Sequence, residues 1–263
     1  MLHHAKNGHI CKTDYIRFGT GPQPLVILPG LGDGLQTVKG TALPMAWMYR
    51  IFARDFTVYM FSRKQDLPQG HSTRDMARDL REAMDALGIR QADIWGVSMG
   101  GMIAQWLAID HPEKVNRLVL TVTSSRPNPI LTGSLEEWMN QARNRDHRGL
   151  MTSNLRKIYS EDYCRKNSWM IPLLAAVTKP KSYERFLIQS QACLDHDAYD
   201  RLPEIHAPTF IIGGQQDQAL GSEASREMGD RIPDARLKIY PQWGHGLYEE
   251  AKDFNQIVLE FLK

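Results

Sequence analysis

Gly96-Val97-Ser98-Met99-Gly100 has the form Gly-x-Ser-x-Gly and stands where an apolar strand gives way to a helix. Gln91 to Val97 reads as a buried strand, and Met99 to Asp110 reads as the helix that follows. A serine at so sharp a turn is held away from the backbone with its hydroxyl presented to a pocket. The flanking glycines fit because side chains there would strike the neighbouring elements. The competing reading of the same five residues is a serine that simply caps the helix. What surrounds the motif has to decide between the two.

Outward from the motif the chain alternates strands and helices. Leu25-Val26-Ile27-Leu28, closed by Pro29-Gly30, has the continuous apolar character of a strand buried on both faces. Residues 42–54 suit a helix and Phe56 to Phe61 a strand. Met76, Leu80, Ala83, Met84 and Leu87 recur at helical spacing over 73–87, with Ser72 or Thr73 as a cap and Gly88 as a stop. Residues 115–122, 207–213 and 235–240 supply further strands, and 221–231 and 250–262 further helices. Asn7-Gly8 is a hairpin signal within the weakly alternating residues 1–18. Together these predict an α/β protein with a mostly parallel central sheet of about eight strands flanked by helices.

Residues 126–200 interrupt that rhythm. They contain no convincing strand but carry helical stretches near 134–146, 148–158, 160–176 and 181–193. The expectation is a helical cap inserted after the sixth strand, over a core made of 1–125 and 201–263. Trp138, Trp169 and Met170 are the cap residues picked out as candidate substrate contacts, among an aromatic and methionine set that includes Met139, Tyr159, Tyr163 and Phe186.

Composition removes several classes of function. The net charge is +2 over 263 residues, with lysine and arginine dispersed, so neither nucleic acid nor an anionic membrane is an expected partner. Apolar runs are too short to span a bilayer. Cys11, Cys164 and Cys193 form neither a disulfide framework nor a metal spacing, which points to a reducing, cytoplasmic setting. His3 and His4 alone make a weak metal signal, and residues 1–9 have no apolar leader. No metal or organic cofactor is expected. Gly30, Gly32 and Gly34 lack the rest of a nucleotide-binding fingerprint.

A serine hydroxyl needs a base, and a catalytic histidine needs a carboxylate to set its tautomer. In a parallel sheet the loops after the strands share one edge, where ligands bind. Asp217 follows the strand ending at Gly213, and His245 follows the strand ending at Tyr240 within Trp243-Gly244-His245-Gly246. Asp195, Asp197 and Asp200 are rival acids but fall before the strand, and the end of strand 115–122 offers Ser124 and Ser125 in place of a carboxylate.

Ser98, Asp217 and His245 in that order, the glycine-rich loop after an early strand and the helical insertion together resemble the α/β-hydrolase superfamily along nearly the whole chain. The resemblance implies backbone N–H groups of Leu31 and Met99 as the oxyanion hole. Pro29 stands where many relatives have histidine, which leaves open how that loop is braced. Asp33 reads as a surface or capping residue, and Arg63-Lys64 as a solvated pair in preference to a site that attracts an anionic substrate. The implied function is serine hydrolysis of a carboxylic ester or lactone, by analogy with enol-lactonase-like relatives. Perhydrolase, carbon–carbon bond hydrolase and hydroxynitrile lyase chemistry use related triads, and a hydrolase-like small-molecule receptor is the reading from a different class. An aspartate nucleophile, as in haloalkane dehalogenases, is disfavoured by Ser98.

Overall fold

The computed structural model describes residues 4–263, apart from the side chain at position 174. Eight strands form one sheet in the order β1-β2-β4-β3-β5-β6-β7-β8. They are β1 (Lys6–Ile10), β2 (Thr13–Phe18), β3 (Gln23–Leu28), β4 (Phe56–Lys64), β5 (Ala92–Val97), β6 (Val115–Thr121), β7 (Thr209–Gly214) and β8 (Arg236–Tyr240). The strands β1 and β2 are antiparallel to their neighbours, and β3 to β8 run parallel.

Strand alternation divides the core in two. Val26, Ile94, Leu118 and Ile211 pack on one face with α2 (Thr73–Ala86) and α3 (Met99–Asp110). Leu25, Trp95, Val119 and Ile212 pack on the other with α1 (Ala42–Met48) and α11 (Phe254–Leu262). All six residues of β5 are buried, as its uninterrupted apolar character predicts. Helix α3 is buried from Met99 to Ile109, because it lies between the sheet and further helices. Helix α2 starts at a capping box: Ser72 accepts from the Asp75 N–H while the Asp75 carboxylate accepts from the Ser72 N–H.

Between β6 and β7 run α4 (Pro129–Arg143), α5 (His147–Ile158), α6 (Glu161–Asn167), α7 (Ile171–Thr178) and α8 (Glu184–Leu194). The first begins earlier than its apolar periodicity indicates. Asn128 Oδ1 accepts from the N–H groups of Ile130 and Leu131, with Pro129 in the first turn. The expected helix over 160–176 is broken by a 3-10 turn at Ser168–Met170, and Pro172 opens α7. After β7 come α9 (Glu223–Arg231) and α10 (Leu247–Glu250). Helix α1 stops at Met48, short of the expected 42–54.

The hairpin turn corrects the expectation placed on Asn7-Gly8. Ile10 pairs with Thr13, so the turn is Cys11-Lys12, both with positive φ (48° and 62°). Gly8 sits inside β1 for a packing reason: a Cβ there would lie 2.2 Å from the Tyr15 ring. Asn7 Oδ1 instead accepts from the Gly40 N–H at 2.7 Å. His4 lies exposed ahead of β1 rather than within a strand, and His3 falls outside the described residues. The three cysteines are free.

Candidate active site

The parallel strands deliver their ends to one edge. Leu28, Val97, Gly214 and Tyr240 finish β3, β5, β7 and β8, and the loops that follow carry Leu31, Ser98, Asp217 and His245. Ser98 has φ 53° and ψ −122°, a conformation that costs a non-glycine residue about 1–3 kcal/mol. The surroundings hold it there. Its N–H donates to Thr121 O at 2.9 Å, and its carbonyl accepts from Gly101 N–H at 2.8 Å and Thr123 Oγ1 at 2.7 Å. Its side chain makes no capping hydrogen bond to α3, so the helix-cap reading of the serine fails.

Both glycines of the motif are steric requirements. A Cβ on Gly96 would lie 2.5 Å from Gly100 O, and one on Gly100 would lie 2.1 Å from Leu28 O. The turn therefore brings α3 against the end of β3. Gly30 is similarly close, since its Cβ would stand 3.3 Å from Ser98 Cβ. That contact places Leu31, first residue of a 3-10 turn over Leu31–Gly34, in the segment beside the serine. Met99 is the first residue of α3. N–H groups at the first position of a helical turn have no acceptor within it.

Asp217 and His245 meet at 2.8 Å, carboxylate Oδ2 to ring Nδ1, with both side chains buried. The other carboxylate oxygen accepts from Ala219 N–H (2.8 Å) and Leu220 N–H (3.0 Å). Each oxygen of Asp217 is thus engaged, which fixes the carboxylate plane. With Nδ1–H donating to Asp217, the Nε2 lone pair of His245 is left free to take a proton. Gly214 and Gly244 let the two loops abut: a Cβ on Gly214 would lie 2.5 Å from Gly244 O. The Gly246 N–H donates to Ile158 O at 2.6 Å, tying the His245 loop to the end of α5. Among the described residues no hydrogen bond joins Ser98 Oγ to the His245 ring.

The rival acids are engaged elsewhere. Asp195 accepts from Gln191, Asp197 from the Tyr199 N–H, and Asp200 faces Arg231.

The three residues picked out from sequence as candidate substrate contacts lie in different surroundings. Trp138 is buried in a core cluster with Leu131 and Leu135 of α4. Trp169 is 72% exposed, and Met170 is half-buried in the same 3-10 turn. Amphipathic periodicity cannot distinguish an inward ring from an exposed one when the helix itself breaks. Tyr159 takes a different place, its ring under Gly246 and its hydroxyl donating to Glu249 at 2.8 Å.

Asp33 and Arg63 also differ from expectation. Asp33 is 4% exposed and Arg63 5%, so neither is a surface group. Asp33 Oδ2 accepts from Arg63 N–H at 3.1 Å and from the Arg185 guanidinium, and it lies 3.7 Å from Arg63 Nη1. Burial pulls the Arg63 guanidinium below its ordinary range, opposed by the Asp33 charge and reinforced by Arg185. Lys64 turns outward to Asp79 and Glu82. No signal short of the tertiary fold joins residues 33, 63 and 185.

Comparison with known proteins agrees with this architecture. The family model for the alpha/beta hydrolase fold matches residues 23–252. A 2-hydroxymuconate semialdehyde hydrolase of Pseudomonas sp. (strain CF600) is 30% identical over 251 residues, covering 91% of this chain and 86% of that protein. A candidate carbamate hydrolase of Stutzerimonas stutzeri (strain A1501) is 26% identical, covering 90% and 91%. The enol-lactonase structure from Burkholderia xenovorans LB400 superposes with a TM-score of 0.80 at 22% identity, covering 98% of this chain and 99% of that one. The strand order, the turn at Ser98 and the extent of the family match together place this chain in the α/β-hydrolase family.

Proposed function

We propose that this hydrolase cleaves a carboxylic ester or lactone of small to medium hydrophobic character through an acyl-enzyme. Ser98 Oγ attacks the substrate carbonyl carbon as His245 Nε2 takes the hydroxyl proton. Asp217, held at both oxygens, keeps the imidazole in the tautomer this requires and stabilises the imidazolium. The backbone N–H groups of Leu31 and Met99 receive the oxyanion, with α3 directing its positive end at the same place. His245 returns the proton to the leaving alkoxide, then activates water, and the hydroxide releases the acid and regenerates Ser98. Residues 126–200 serve as a cap over the core of 1–125 and 201–263.

The observation that carries this reading is the buried Asp217–His245 hydrogen bond on the sheet edge that also presents Ser98 at positive φ. A second reading, carbon–carbon bond hydrolysis with the same three residues, is favoured by the 2-hydroxymuconate semialdehyde hydrolase relative. Steady-state rates on esters and lactones of graded chain length, set beside 2-hydroxymuconate semialdehyde, separate the two. Sustained turnover of an ester or lactone that vanishes in Ser98→Ala is the expected result. Turnover of the semialdehyde alone would replace it with the second reading. A single slow turnover, with the ligand mainly stabilising the fold, would favour a receptor.

A further inference from the structure

The loop that carries Leu31 is suspended between the serine turn and α8. At its start, Gly30 packs on Ser98, and the Pro29 carbonyl accepts from Arg63 Nη2. At its end, Gly34 presses on α8 so closely that a Cβ would lie 2.8 Å from the Phe186 Cα. Arg185, the neighbour of Phe186 on that helix, reaches back across the contact. Its Nη1 donates to the Asp33 carbonyl and its Nη2 to the Asp33 carboxylate. It also donates to Arg63 O at 3.0 Å and, from Nε, to Lys64 O at 3.1 Å. One guanidinium therefore gathers four acceptors from two segments, the Leu31 loop and the end of β4.

We infer that Arg185 is a positioning residue for the oxyanion hole, setting the Leu31 N–H by locking its loop to α8. The inference rests on the serine mechanism proposed above. Arg185 acts through Asp33, beside the contact of Gly34 with Phe186, and does not meet the reacting atoms itself. A planar fork suits this task, because lysine supplies a charge but cannot span acceptors on two segments. The oxyanion donor is thereby assembled only when the helical segment is seated, so its docking and the chemistry are coupled.

Removing Arg185 leaves a tolerable fold. Asp33 keeps the Arg63 N–H and faces the Arg63 guanidinium, so no buried charge is stranded. The Arg185 side chain is itself 13% exposed. What is lost is the geometry of the loop, and misplacement by about 1 Å costs on the order of a hundredfold in rate.

The test compares wild type, Arg185→Ala, Arg185→Lys and Gly34→Ala on a neutral short-chain p-nitrophenyl ester and on a matched ester bearing a carboxylate. Ser98→Ala sets the baseline. Arg185→Ala is expected to lose about tenfold or more in kcat on both esters with KM little changed. Methylguanidinium in the buffer is expected to restore part of that loss, and Arg185→Lys to restore less than the native side chain. Gly34→Ala keeps every charge and pushes the loop from α8, so its kcat should fall as well. A kcat within about twofold of wild type in Arg185→Ala or in Gly34→Ala would overturn the inference. So would a KM rise confined to the anionic ester, which would make Arg185 a substrate ligand. Turnover that survives in Ser98→Ala would overturn the serine mechanism itself, whatever Arg185 does.

Discussion

Asp217 is a side chain orientated from both of its oxygens. One oxygen is held by two consecutive backbone N–H groups and the other holds His245. Replacing it with asparagine would present an amide where the imidazole needs an acceptor, and would favour the wrong tautomer. Asp217→Asn and His245→Ala are each expected to lower kcat on an ester by about a thousandfold or more while melting close to wild type. Ester turnover near the wild-type rate in His245→Ala would remove it as the base. These residues were legible because their order and their places after successive strands are one-dimensional facts. Asp33, Arg63 and Arg185 were not, because their burial exists only once β4, the Leu31 loop and α8 are brought together. Trp138 and Trp169 mark the same boundary: their type was visible, but not which of them the fold would bury.

Helix and strand ends carry the next set of constraints. The Gly100 position is where α3 passes the end of β3, and the obstacle to a side chain is the backbone carbonyl of Leu28 at 2.1 Å. Gly100→Ala is expected to destabilise the fold by about 2 kcal/mol or more, read by urea denaturation, because a backbone cannot step aside as a side-chain tip can. His196, just beyond α8, accepts or donates through Nδ1 to Thr73 Oγ1 at 2.9 Å and packs edge-on against Trp106. Full burial pushes it down to about 3 from the ordinary 6.5, so the folded protein holds it neutral. An unfolded chain protonates this ring as pH falls below 6.5 while the folded one does not until near 3. Its contribution to stability is therefore complete above that window and lost on descending through it. Urea titrations across the window should show a steeper fall for wild type than for His196→Phe, by up to one proton. Parallel slopes would mean that His196 is not held neutral. At this scale the regular elements were readable from period and caps. The failures came where a local signal had another use, as with Gly8 making room for Tyr15, or where a proline broke a continuous apolar stretch, as at Pro172.

Across the whole molecule, the sheet supplies one edge where four loops converge, and the helices between β6 and β7 bear on two of them. Arg185 of α8 holds the Leu31 loop, and Ile158 at the end of α5 accepts from the Gly246 N–H beside His245. The helical segment thus touches both the Leu31 loop and the His245 loop. The mostly parallel sheet flanked by helices was legible from the alternation of buried strands and helices. The docking was not, because contacts between residues so far apart along the chain leave no period in the sequence.

The proposed chemistry begins at Ser98 as the nucleophile. A fluorophosphonate, which captures an activated serine covalently, tests this most directly when followed by intact-mass measurement and peptide mapping. The expected result is one adduct per chain, mapped to the peptide containing Ser98, absent from Ser98→Ala and strongly slowed in His245→Ala. An adduct of equal yield on Ser98→Ala, or one mapped to another serine of the native protein, would contradict it.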